Sequence, residues 1–321
     1  MKRIVLLFVS LVLLAGAGLL LLPSFLGEAT IEEETSFVVS AGSSLTSVAE
    51  ELEEAGLVAS ADGFLLNAKL FGSSEPIQAG EFMLRPGMDQ GQILEAFQSG
   101  DVIRYFVTIP EGMPSVLVWE RLMAEELLTG EVEVPAEGSI LPDTYAIERG
   151  QSRASLVAQM QSAMDTALQD AWASRSDDIA VDSIEEAVIL AAIVEKETGT
   201  PEERRTVAGL YSNRLRAGMR LQADPTIIYP ITQGRPLGRR IRRSEIDAVN
   251  GYNTYTLTGL PEGPITNPGR ESIEAVLNPE QHDYLFMVAD GTGGHEFNET
   301  NAGHEAAVAR WYELRRQRGE M

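Results

Sequence analysis

The chain has no cysteine and only three histidines in 321 residues. A disulfide framework and a thiol nucleophile are therefore excluded. His282, His295 and His304 form no His-Glu-x-x-His pair, and no Gly-x-Ser-x-Gly elbow or glycine-rich nucleotide loop occurs. The residues thus call for no metal and no cofactor. Positive charge is scarce too. With 25 Lys and Arg against 48 Asp and Glu, the net charge of -23 leaves no basic face to neutralise phosphates. That argues against a nucleic-acid partner. Internal repeats and low-complexity segments are also missing.

Only one long apolar run is present, over residues 4–22, after Lys2 and Arg3 and before Pro23. At about 1.5 Å per residue it spans a hydrocarbon core of roughly 30 Å. A cleaved signal peptide would carry an apolar stretch of about 7 to 15 residues followed by small residues. Here Ala15, Gly16, Ala17 and Gly18 fall inside the run, with leucines after them. Residues 1–23 are expected to be a cytoplasmic tip and a retained transmembrane helix. The two cations keep the N-terminus in the cytoplasm, so that everything later lies outside the cell (inner) membrane, in the periplasm or its equivalent.

After an acidic linker over 24–36, short strands and helices alternate. Strands are expected at 37–39, 80–84 and 102–109, and helices at 44–55, 61–70 and 90–97. Together they predict a small α+β subdomain over 37–110. A connecting helical region over 111–180 carries helices at 115–128 and 154–174. The remainder, 181–321, reads as a mixed helix and strand domain. It ends in a hairpin, 284–289 and 295–298 about the turn Asp290-Gly-Thr-Gly-Gly294, and a helix from about 301 to 316. The fold class is α+β. Arg235 to Arg243 concentrates five arginines in an otherwise acidic chain; a solvated loop and a contact for anionic groups both fit it.

The chemistry concentrates in Ile193-Val-Glu-Lys-Glu-Thr-Gly199. Ser183 and Glu186 make a capping box for a helix whose apolar arc runs from Ile184 to Val194, and Gly199 with Pro201 ends it. Glu195 and Glu197 both fall in the last turn, on opposite shoulders roughly 160° apart, while Lys196 points to solvent. The negative end of the helix dipole disfavours a carboxylate there and raises its pKa, the environment of a general acid. Glu197 is nearer the terminus and has the Thr198 hydroxyl beside it as an orienting group, which favours Glu197 as the acid. The helical wheel alone does not choose, and two solvated helix-end carboxylates are the plainer alternative. Thr200-Pro-Glu-Glu203 predicts a second capping box, opening a helix that runs through Leu215 and ends at Gly218.

Further along stand Gly218-Met-Arg-Leu-Gln-Ala-Asp-Pro-Thr226, Tyr252-Asn-Thr-Tyr255, Gly259-Leu-Pro-Glu-Gly-Pro-Ile-Thr-Asn-Pro-Gly269 and Tyr284-Leu-Phe-Met-Val-Ala-Asp-Gly-Thr-Gly-Gly-His-Glu-Phe297. With the glutamate segment and Ile140-Leu-Pro-Asp-Thr-Tyr145, these resemble the MltG (YceG-like) family, membrane-anchored endolytic murein transglycosylases. The chain departs from the family at Leu141, where an aromatic is usual, and in the arginine-rich segment.

The resemblance implies a LysM-like subdomain over 37–110 and cleavage of the β-1,4 bond between N-acetylmuramic acid and N-acetylglucosamine. Glu197 would protonate the glycosidic oxygen and then accept the proton of the muramoyl C6 hydroxyl. That hydroxyl closes on C1 to leave a 1,6-anhydro end, with no water consumed. Gln222, Asp224, Tyr252, Asn253 and Tyr255 are expected to line the cleft, with Asn213 and Arg214 on the second helix as further candidates. The expected partners are nascent glycan strands, whose length the enzyme would limit, and wall-synthesis enzymes such as penicillin-binding proteins. Two rivals remain: a hydrolytic muramidase with Asp224 as second carboxylate, and a non-enzymatic wall-binding module with Glu197 structural.

Overall fold

The computed structural model describes residues 29–320. The apolar run at 4–22 lies outside the described residues; among those described, no helix is long and apolar enough to cross a membrane. The chain is an α+β protein, and the described residues form three two-stranded sheets. It divides into two compact units. One holds the described residues up to Tyr105 together with Ala146–Gly150, and the other holds Phe106–Tyr145 and the rest of the chain from Gln151.

In the first unit, β1 (Thr35–Val39) pairs antiparallel with β2 (Gly80–Leu84), with Phe37 opposite Phe82. Helices α1 (Leu45–Glu54) and α2 (Ala61–Phe71) lie between them in sequence and α3 (Gln90–Ser99) follows. Their starts are fixed by side-chain caps, Ser44, Ser60 and Asp89, the last in a full capping box with Gln92. Phe97 stacks on Phe37 at 5.7 Å and meets the edge of Phe82 at 4.9 Å, giving the small core an aromatic centre. The strand expected over 102–109 is shorter, β3 (Tyr105–Thr108), because Val102 makes only an isolated bridge with Phe82 after the left-handed Gly100. β3 pairs with β4 (Thr144–Ile147).

The second unit is mostly helical. α4 (Ser115–Ala124) stops short of the expected Leu128, and the reason is Arg153 at the start of α5 (Arg153–Ala173). Its buried guanidinium donates to the carbonyls of Leu122, Met123, Glu125 and Gly130 at 2.7 to 3.3 Å, taking up oxygens that a continuing helix would bond itself. At the centre runs α6 (Ile184–Glu197), in which Leu190, Ala191, Ala192, Ile193 and Val194 are all fully inaccessible. A helix apolar all round must be covered all round. α7 (Arg204–Arg216) and α10 (Arg270–Leu277) pack on it, along with part of α5. Small residues make room on α6, Ala187, Ala191 and Ala192, while Gly209 of α7 admits the segment before β5, since a Cβ there would stand 2.3 Å from the Glu280 carbonyl oxygen.

The short helices α8 (Pro225–Thr232) and α9 (Arg243–Ile246) belong to the long loop region between α7 and α10. The chain closes with β5 (Phe286–Ala289), β6 (His295–Asn298) and α11 (Asn301–Gln317). β5 and β6 form the expected hairpin, Ala289 opposite His295, although β5 starts two residues late.

Arg153→Met should lower unfolding stability by about 2–4 kcal/mol, since several carbonyls lose a charged donor that an apolar chain cannot replace. Urea denaturation checks this; an unchanged midpoint would mean that water satisfies those carbonyls equally well.

Candidate active site

α6 emerges from the core at Glu197, its last residue, beside an open cleft of about 240 Å³. Tyr211 and Arg214 of α7, Gln222, Asp224, Tyr255, the strand Met287–Ala289 and His295 complete the lining. The Glu197 side chain is half-buried, but its Oε1 is sealed from water and has no hydrogen-bond partner among the described residues. Burial therefore disfavours the anion and, with the nearby charge of Asp224, pushes the carboxyl up to about 7; Arg214 partly offsets this. Desolvation is the largest cause. Thr198 does not orient the acid, because its hydroxyl donates to the Val194 carbonyl of its own helix.

Glu195, two residues earlier, faces elsewhere. Its Oε2 accepts the Gly269 N–H at 3.0 Å and the Ser272 hydroxyl at 2.7 Å, which places a carboxylate at the start of α10. Gly269 has no side chain to cap that helix, so Glu195 supplies the cap from another element. The two carboxyls of the turn thus differ completely: one is spent on structure and the other is free in a cleft.

The expected binding residues divide in the same way. Gln222, held at φ 53, projects into the cleft, and its N–H is fixed to the Thr254 carbonyl. Asp224 accepts the Tyr255 phenol at 2.6 Å. Burial, and then that bond, raise the Tyr255 phenol above its ordinary value, so it stays a donor. Arg214 is buried; it donates to the carbonyls of Leu285 at 2.7 Å and Leu221 at 2.5 Å and sits over the Phe286 ring. It therefore ties β5 and the Gln222 loop to α7 while lining the cleft.

Asn253, Asn213 and Tyr252 are not brought to the cleft. Asn253 is fully buried, and its amide donates to the carbonyls of Glu245, Ile246 and Ala248, folding its loop back on α9. Asn213 donates to the carbonyls of His282 and Tyr284, anchoring the approach to β5. Tyr252 packs on Tyr229 with ring centres 4.9 Å apart. Tyr211 and the strand Met287–Ala289 are cleft residues that sequence reasoning missed, as is Glu203, which holds the cleft residue His295. Tyr211 reads as an ordinary core aromatic, and Glu203 reads as a capping residue.

That second capping box does not form. The Thr200 hydroxyl donates to the Gly293 carbonyl at 3.1 Å, and Glu203 binds His295, so the segment opens as a 3-10 turn over Pro201–Glu203 before α7 begins. At the first box, Ser183 caps the Glu186 N–H as expected, but the Glu186 carboxylate accepts from Asp182 instead of Ser183. In the arginine-rich segment, Arg235, Arg239 and Arg243 pair with Glu120, Glu245 and Asp247. Among the described residues, no group of three or more His, Asp or Glu side chains is arranged to hold a metal ion.

A family model described as the YceG-like family matches residues 37–310, a span that contains every residue of the cleft. The chain belongs to the YceG-like family. It is similar to the endolytic murein transglycosylase of Bacillus subtilis (strain 168), 25% identical over 305 residues that cover 85% of this chain and 83% of the relative. A protein of the same name from Streptococcus pneumoniae serotype 2 (strain D39) is 28% identical, covering 84% of this chain. The chain spans only 56% of that relative's length. A crystal structure of a YceG-like protein from Listeria monocytogenes aligns with a TM-score of 0.55 at 25% identity, over 86% of this chain and 99% of that one.

The perturbed carboxyl of this YceG-like chain has a stability signature. Between its ordinary value of 4.5 and its folded value of about 7, the folded state binds a proton that the unfolded state has released. Stability contributed by Glu197 is therefore full below about pH 4.5 and is lost as pH rises through about 7. Glu197→Gln should be more stable than the wild type at about pH 8, by up to about 3 kcal/mol, and the gap should close in mildly acid solution. Glu195→Ala should instead destabilise by about 1–2 kcal/mol, through loss of the α10 cap. Thermal unfolding at both pH values decides it; a Glu197→Gln variant less stable than wild type at about pH 8 would contradict the desolvated carboxyl.

Proposed function

We propose that the chain is a peptidoglycan lytic transglycosylase, a lyase that cuts glycan strands internally at the bond between N-acetylmuramic acid and N-acetylglucosamine. The observation that carries this reading is the Glu197 carboxyl, held near 7 with its Oε1 sealed from water and unpartnered among the described residues, in a family whose named relatives are endolytic murein transglycosylases. A carboxyl with that value is largely protonated in neutral or slightly acid solution. It can give its proton to the glycosidic oxygen as the C1–O bond breaks toward an oxocarbenium-like state. The resulting Glu197 carboxylate takes the proton of the muramoyl C6 hydroxyl as O6 bonds to C1. The acid is regenerated, a 1,6-anhydro end forms, and no water is consumed.

This scheme needs a single enzyme carboxyl, and the cleft fits it. Asp224, the candidate second carboxylate of a muramidase, is occupied by the Tyr255 phenol, and its charge helps keep Glu197 protonated. A purely structural Glu197 would be expected to have partners, as Glu195 does. Gln222 and Tyr255, with the aliphatic edge of β5, offer hydrogen bonds and a surface for sugar rings.

The same reading gives the subdomain expected over residues 37–110, most of which lies in the first unit, a LysM-like, glycan-holding role. Its support is a groove lined by Asn67, Phe71, Gln92 and Gln98, in which the Phe71 ring is 71% exposed. Residues 4–22 would anchor the protein in the cell membrane with the catalytic residues outside, near nascent strands and the penicillin-binding proteins that make them. Trimming there would limit strand length.

The full-length chain in detergent should convert long uncrosslinked glycan strands to fragments ending in 1,6-anhydromuramic acid, as read by mass analysis. Glu197→Gln should slow this by at least about 100-fold, and the wild-type rate should fall as pH rises past about 7, where the acid loses its proton. Reducing muramoyl ends would indicate a hydrolase, and absence of cleavage a binding module.

A further inference from the structure

Across the cleft from α6, the β5–β6 hairpin is joined to the segment that follows Glu197. Glu203 makes both side-chain contacts with one residue. Its Oε1 accepts the His295 backbone N–H at 2.8 Å, and its Oε2 lies 2.8 Å from the His295 Nδ1. The two side chains are only 17% and 19% exposed. An ionised carboxylate can only accept, so the Glu203 contact puts the ring proton on Nδ1. In the neutral imidazole the other ring nitrogen, Nε2, then carries a lone pair, and no described residue donates to it. His295 lines the same cleft as Glu197.

A histidine whose far nitrogen is locked by a carboxylate presents its near nitrogen with fixed direction and fixed hydrogen-bonding sense. Stitching the hairpin in place needs only the backbone contact and the bond from Thr200 to Gly293. The lone pair on Nε2 is surplus to that task. It suits a hydroxyl donor, and hydroxyls are what a glycan chain presents in abundance.

We infer that His295 is a glycan-binding residue whose Nε2 accepts a hydrogen bond from a sugar hydroxyl in the subsite beside Glu197. Glu203 is the positioning residue that sets its tautomer. This rests on the glycan-cleaving reading above and names a recognition element within the same cleft. Two substitutions separate it from a merely structural clasp. Glu203→Gln can keep both contacts, but its amide must donate to Nδ1, which moves the ring proton to Nε2 and turns the acceptor into a donor. His295→Asn keeps a nitrogen within reach of Glu203 and leaves nothing at the position of Nε2.

The test uses the full chain carrying Glu197→Gln, which should bind glycan without cutting it, and uncrosslinked strands of alternating N-acetylglucosamine and N-acetylmuramic acid. Adding either Glu203→Gln or His295→Asn should weaken binding by about 3- to 10-fold, the worth of one hydrogen bond. Nitrogen NMR of His295 should report the proton on Nδ1 in the parent and on Nε2 after Glu203→Gln. In the cleavage-competent chain, both changes should raise KM more than they lower kcat. If the parent binds glycan and the two variants bind it equally well, or if Glu203→Gln leaves the tautomer unchanged, the inference fails while the cleavage reading stands. A parent that binds no glycan would overturn both.

Discussion

A carboxyl kept from water without a hydrogen-bond partner is unstable as an anion, and the second unit is arranged around one such group. Glu197 occupies that position because the helix beneath it is covered on every side: five consecutive residues, Leu190 to Val194, are inaccessible, and only the end of α6 meets the cleft. The same covering supplies the low-polarity surroundings that hold the carboxyl near 7. Small residues on α6, Ala187, Ala191 and Ala192, allow the close packing that covers it. Core packing and the raised pKa of Glu197 are therefore one property here, and loosening the first would lower the second.

The polar residues around the cleft share the work by what they bond. Asn253, Asn213 and Arg214 spend their donors on backbone carbonyls, which fixes the loops that carry Gln222 and Tyr255 and the strand of Met287–Ala289. Glu195 fixes the start of α10 in the opposite sense, accepting from the Gly269 N–H and the Ser272 hydroxyl. What remains unspent is a short set of groups lining the cleft: the Glu197 oxygen, Gln222 and Nε2 of His295. Buried polar groups are costly to leave unpaired, and those that stay unpaired in a cleft are the natural contacts for a substrate.

Much of this was legible in the sequence. Ser183, the apolar arc and Gly199 mark α6 to within a residue or two, and the Asp-Gly-Thr-Gly-Gly turn marks the final hairpin. Glu197 was favoured over Glu195, but partly on a ground the fold does not use, the Thr198 hydroxyl. What separates them is burial and a capping bond 74 residues away, neither of which has a local signal. α10 was missed because it has only two turns and takes its cap from Glu195. α8 was missed because Pro230 sits inside it and reads as a breaker. Asn253 and Asn213 have the amide chemistry of sugar ligands, yet nearby carbonyls claim them. Glu203 fits a capping box, yet its partner is His295, 92 residues away. Residue type and spacing identified the chemistry; long-range partners decided which residue was free to perform it.

The central claim is that Glu197 is protonated in the folded protein in neutral or slightly acid solution. A carbon-detected NMR titration of the side-chain carboxyls, with Glu197→Gln to assign the resonance, tests it directly. The account predicts a midpoint of about 7 for Glu197. A midpoint at the ordinary 4.5 would mean that the carboxylate is solvated, and would remove the general acid on which the account depends.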